Sequence, residues 1–146
     1  IEIAVFLNMA VPYLRGEELT FMGYLMVSSM QLRATVDYSI LLTNNYLELR
    51  RRIKTEEGDI YYFDNGNTEA DFVVCDGNKA VGIYQVTYDI ENPKTRRREI
   101  NGAVAAAKNT KCSNVYILTD HQSETIVHDG ITIKVMPVWE WIVRED

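Results

Sequence analysis

The chain has 146 residues, 47% of them hydrophobic and 25% charged, with a formal net charge of −6. That is the size and balance of one ordinary globular domain with room for a small appendage, and it excludes global disorder. Eight Gly, three Pro and two Cys also exclude collagen-like and disulfide-scaffold classes.

The acidic balance argues against broad, sequence-independent nucleic-acid binding, which needs many Lys and Arg contacts to phosphates, although a local basic face remains open. Cys75 and Cys112 show no metal-like spacing, and as unpaired thiols they fit a reducing, cytoplasmic setting. The apolar stretch 1–14 contains Glu2 and Asn8 and stops at Arg15. It is shorter than the roughly 18–20 residues that cross a bilayer, and it lacks the basic start of a signal peptide. No membrane partner is expected.

Up to Gly58 the apolar residues recur at spacings of three to four, which predicts helices near 2–14, 17–33 and 37–54. The third ends in Arg50, Arg51, Arg52 and Lys54, cations that complement a helix C-terminus. After Gly58 the pattern turns to strands over 59–63, 70–75 and 80–88. They are separated by Asp64-Asn65-Gly66-Asn67 and Asp76-Gly77-Asn78, short Asx-Gly turns that join antiparallel neighbours. Asn92-Pro93 reads as a helix start, with a helix over 93–109. A strand over 114–119 follows. A hairpin then pairs 125–127 with 131–135 around His128-Asp129-Gly130, and a short helix covers 138–144. A strand reached through a crossover helix can join the same sheet in parallel. The expected fold is therefore α/β, a mixed sheet flanked by helices, with a helical segment over 1–41 and the α/β domain over 42–146.

The second and third strands gather polar groups. Glu69 and Asp71 open one strand, and on the next Gln85 and Thr87 share a face by period-two geometry. Antiparallel pairing could bring Asp71 beside them. On the residues alone, Asp71 reads equally as a strand cap with Glu69 exposed beside it, and Gln85 and Thr87 as solvent-facing. Arg96, Arg97 and Arg98 read as a solvated helix face or as a phosphate-contacting patch. His121 and His128 have no partner at ligand spacing. Trp139 and Trp141, two apart, cannot both face inward on a helix.

The order helix, three-stranded meander, helix, strand resembles the core of the PD-(D/E)XK nuclease-like superfamily. More closely, residues 42–119 resemble the nuclease-like C-terminal domain attached to prokaryotic AAA-type ATPases. The resemblance rests on Tyr46-Leu47-Glu48-Leu49, Tyr61-Tyr62-Phe63, Glu69-Ala70-Asp71-Phe72-Val73 and Gln85-Val86-Thr87, and extends to Thr95–Ile100 and Ile133–Trp139. It implies a restriction-endonuclease-like fold and a catalytic region at Asp71, Gln85, Thr87, Glu48 and Glu69. In active members two acids hold a divalent ion, usually Mg²⁺, and a Lys helps the attacking water. Here the second acid is Gln85, the Lys position is Thr87, and Leu42 stands at the helix acid. An amide brings no negative charge and a hydroxyl no cation, so only Asp71 remains as a secure metal ligand.

The expectation is thus a non-cutting nuclease-fold module without a cofactor. It would be an accessory domain of an AAA-type ATPase, contacting protein or nucleic acid, with Arg96, Arg97 and Arg98 as the phosphate-facing residues. Two alternatives stand beside it. One is an active Mg²⁺-dependent nuclease that recruits Glu48 or Glu69. The other is a structural module that forms homo-oligomers. No GxxxxGK[ST] loop occurs, so the chain is not itself the ATPase.

Overall fold

The computed structural model describes residues 29–144, with side chains from residue 38. The chain divides into two compact units, residues 1–43 and 44–146, and the division falls inside the first described helix. The helix expected over 2–14 and most of that over 17–33 lie outside the described residues. Helix α1 (Ser29–Arg52) runs without the expected break near residues 34–36. Ala34-Thr35-Val36 contains neither Gly nor Pro, so nothing there terminates a helix.

The α/β unit holds β1 (Gly58–Asp64), β2 (Glu69–Asp76), β3 (Lys79–Val86), α2 (Pro93–Thr110), β4 (Val115–Thr119), β5 (Glu124–His128), β6 (Ile131–Pro137) and α3 (Val138–Val143). The six strands form one mixed sheet in the order β1-β2-β3-β4-β6-β5. β1/β2, β2/β3 and β5/β6 pair antiparallel, whereas β3/β4 and β4/β6 pair parallel. The tight turns carry the positive φ that Asx-Gly sequences permit: Gly77 at 55°, and Asp129 and Gly130 at 50° and 77°.

Helix α2 starts where Asn92 caps it. The Asn92 Oδ1 accepts from the Lys94 and Thr95 backbone N–H groups at 2.9 and 3.4 Å, and Pro93 occupies the first turn. Its inner face, Ile100, Ala103, Val104 and Ala107, packs on Val73, Ile83, Val115 and Ile117 of the sheet. Small alanines let the helix lie close to the strands. The other face of the sheet carries Phe72 and Tyr84. Phe72 meets Tyr46 at the end of α1 with ring centroids 6.2 Å apart. Tyr84 stacks on Tyr116 at 5.1 Å and meets Trp141 of α3 at 5.5 Å. The Arg52 guanidinium lies 4.5 Å over the Trp141 ring and donates to the Trp141, Ile142 and Arg144 carbonyls. These contacts satisfy the end of α3 and tie it to the end of α1. Trp141 is buried and Trp139 is 63% exposed, the division that their spacing requires.

Both cysteines are free thiols. Among the described residues no helix is long and apolar enough to cross a membrane.

Candidate functional site

Strand β3 changes partner along its length. Its ladder with β2 runs from Asp76↔Lys79 to Phe72↔Tyr84, and its parallel ladder with β4 runs from Ile83↔Val115 to Val86↔Leu118. Beyond Phe72 and Tyr84, side chains replace the β2–β3 ladder. The Asp71 backbone N–H donates to the Gln85 Oε1 at 2.7 Å, and the Val86 backbone N–H donates to the Asp71 Oδ2 at 2.7 Å. Each strand thus gives one backbone donor to a side chain of the other. Buried backbone N–H groups need partners, and these two residues supply them.

Helix α2 covers this seam. The Gln85 Nε2 donates to the Glu69 carbonyl at 3.2 Å and to the Glu99 Oε2 at 2.9 Å. The Glu99 Oε1 accepts from Arg98 Nε and Nη2 at 3.0 and 2.6 Å. Asp71, Gln85 and Glu99 are 6%, 3% and 4% exposed. The helix can approach this closely because residue 102 is glycine. A Cβ there would sit 1.9 Å from the Glu69 carbonyl oxygen and 2.8 Å from the Gln85 Nε2. The carbonyl belongs to strand backbone and cannot swing away. Gly102→Ala is therefore expected to lower stability by about 1–3 kcal/mol, the range for overpacking a filled core, as read from urea denaturation midpoints.

Burial dominates the electrostatics. It pushes the Asp71 carboxyl up to about 7, with Glu99 and Glu69 adding to the rise while the Val86 N–H and Arg98 oppose it. Glu99 is raised too, by burial first and by Glu69, against the pull of Arg98. The Arg98 side chain is 73% exposed, so water screens much of its charge. Beside them lies the Tyr62 hydroxyl, close to the carboxylates of this corner. Burial first, then Glu69, Asp64 and Asp71, hold it above its ordinary range.

The sequence-predicted residues divide. Asp71, Gln85 and the start of β2 at Glu69 come together. Gln85 and Thr87 are buried and not solvent-facing, because α2 and the following loop cover them. Thr87 lies just past the end of β3, and its hydroxyl donates to the Asp89 carbonyl at 3.1 Å instead of facing Asp71. Glu48 lies on α1 and accepts from Arg51 and Arg52 at 2.7–2.8 Å, contacts that hold its carboxyl down at about 2. Arg96 forks onto Glu124 of β5 at 2.6 and 2.8 Å, Arg98 holds Glu99, and Arg97 is exposed. Sequence reasoning missed Glu99 and Gly102. The signal was helical spacing, since residues 99, 103, 106 and 107 share the buried face of α2.

These donors do not make a magnesium site. Mg²⁺ demands octahedral oxygen coordination with one or two carboxylates and water. The amide oxygen of Gln85 already accepts the Asp71 N–H, one oxygen of Asp71 accepts the Val86 N–H, and both oxygens of Glu99 have donors. Among the described residues, no group of three or more His, Cys, Asp or Glu side chains could hold a metal ion. Chemically the cluster is a buried network of amide, carboxyls and backbone.

No family model and no solved structure matches this chain. Over 102 residues it is 33% identical to an uncharacterized protein of Methanocaldococcus jannaschii, an overlap of 66% of this chain and 22% of that protein. The chain thus spans about a fifth of the length of that relative.

Proposed function

We propose that this protein is a nuclease-fold module of the PD-(D/E)XK type that no longer cuts, serving an AAA-type ATPase system by making contacts. The observation that carries the reading is the side chain of Gln85. It stands at the position of the second acid and uses both ends of its amide within the protein, on the Asp71 N–H, the Glu69 carbonyl and Glu99. Thr87, at the lysine position, turns away to Asp89. The motif has become part of the packing between β2, β3 and α2.

The contacts favour a protein partner over nucleic acid. In a chain of net charge −6, Arg96 and Arg98 are held by Glu124 and Glu99. An RNA or DNA surface relies instead on cations presented to phosphates. Meanwhile α3 exposes Trp139 and Val143, 63% and 70% accessible and four residues apart on one helical face.

Incubation with plasmid and single-stranded DNA and RNA in Mg²⁺ or Mn²⁺ tests the reading. The expected result is intact substrate, with an unfolding midpoint that neither metal raises, because a ligand bound only by the folded state would raise it. Cleavage that Asp71→Ala abolishes would overturn it and restore the active-nuclease alternative.

A further inference from the structure

A groove of about 590 Å³ opens on the face of the sheet opposite α2, away from Asp71, Gln85 and Glu99. Its volume lies within the few-hundred-to-thousand Å³ range of sites for small organic ligands. Leu49, Val74 and Tyr84 give it an apolar base, with Ile53 and Val81 beside them. Four cations line it: Arg51, Arg52, Lys54 and Arg144. Asp76 is the acid among the lining residues, and it already accepts the Thr55 hydroxyl at 2.7 Å. Glu48 engages Arg51 and Arg52, and Glu140 engages Arg144, so carboxylates outside the groove hold these guanidinium groups in place. Arg52 is fixed further by the carbonyls of Trp141, Ile142 and Arg144. Lys54 is exposed, with no ion pair among the described residues.

Arg51 and Arg52 share the single carboxylate of Glu48, and Lys54 has no ion pair among the described residues. Cations therefore outnumber the carboxylates beside them and leave a small local field opposite in sign to the chain's net charge of −6. The Arg144 guanidinium is held on Glu140 through one nitrogen and keeps further N–H donors that match phosphate oxygens, and holding it in place reduces the ordering cost of binding. An apolar base below such a rim suits a ligand with an anionic head and a hydrophobic body. We propose that this groove binds a phosphate monoester of an apolar group, the phosphate at Lys54 and Arg144 and the apolar body over Leu49, Val74 and Tyr84. The proposal stands independently of the reading of the Asp71 site.

Titration of the ¹⁵N-labelled full chain with 1-naphthyl phosphate tests it. Saturable shifts are expected at the amides of Gly58, Cys75 and Val81, with inorganic phosphate alone binding more weakly. The Lys54→Ala/Arg144→Ala variant should bind at least about fivefold more weakly, and added salt should weaken binding to the wild type. Lys108→Ala, which removes a cation paired with Asp129 elsewhere, should bind as the wild type does. The proposal is overturned by the absence of saturable shifts up to about 10 mM, a concentration at which even millimolar affinity would show. It is equally overturned by unchanged affinity in the double variant, or by shifts centred on Arg97 instead of the groove. The folded state of each variant is read from the dispersion of the same spectra.

Discussion

The protein should be more stable at pH 5 than at pH 8, and Asp71 should contribute to the difference. In the unfolded chain its carboxyl titrates near 3.8, and in the folded state burial raises it to about 7. The folded state therefore holds this proton more firmly than the unfolded state does. Its contribution is complete below about pH 4 and is lost as pH rises through about 7, a linkage on the order of 4 kcal/mol. Glu99, raised in the same direction, adds to the slope. Glu48 acts in the opposite sense at lower pH. Its carboxyl is held at about 2, so its stabilising contribution is present above its ordinary value of 4.5 and fades as pH falls toward 2. Urea denaturation across this range measures the balance. Asp71→Asn keeps an acceptor for the Val86 N–H and removes the titration, so its profile should be flatter and its stability at pH 8 at least that of the wild type. A wild-type profile that rises from pH 5 to 8 would contradict the assignment.

Gln85→Ala should be among the most damaging single changes in the α/β unit, lowering stability by about 3–5 kcal/mol. Truncation strands the Asp71 N–H, the Glu69 carbonyl and an oxygen of Glu99 in a buried place, and it opens a void under α2. Each buried group left without a partner costs about 1–3 kcal/mol, and the void adds to this, although the terms overlap. Thr87→Ala removes one hydroxyl contact to Asp89 and should cost only about 1 kcal/mol. The contrast is measurable in one denaturation series. A catalytic motif would show a different pattern, in which both residues govern activity and neither governs folding.

Much of the architecture was legible because its signals are local. The turns at Gly77 and at Asp129-Gly130 need positive φ, and their Asx-Gly sequences announce it. Asn92-Pro93 marks the start of α2 for an equally local reason. The reading failed where the deciding fact was tertiary. Period-two spacing put Gln85 and Thr87 on one face, but β3 ends at Val86, and Thr87 follows the loop toward Asp89. Whether that face meets solvent depends on where the crossover helix lies, and strand periodicity does not contain that information. Glu99 follows three arginines and reads as one more charge in a solvated turn. Only with α2 laid across Glu69 does it become a buried partner of Gln85. Helix α1 continues through residues 34–36 because no breaker residue stands there.

The unequal burial of the chain's two tryptophans makes it a natural optical reporter. Trp139 emits from solvent, whereas Trp141 is shielded between Tyr84 and the Arg52 guanidinium. Unfolding changes the surroundings of the second indole far more than those of the first. A soluble quencher such as acrylamide therefore reaches one fluorophore in the native protein and both in the denatured one. The accessible fraction reports directly on whether the terminal helix is seated.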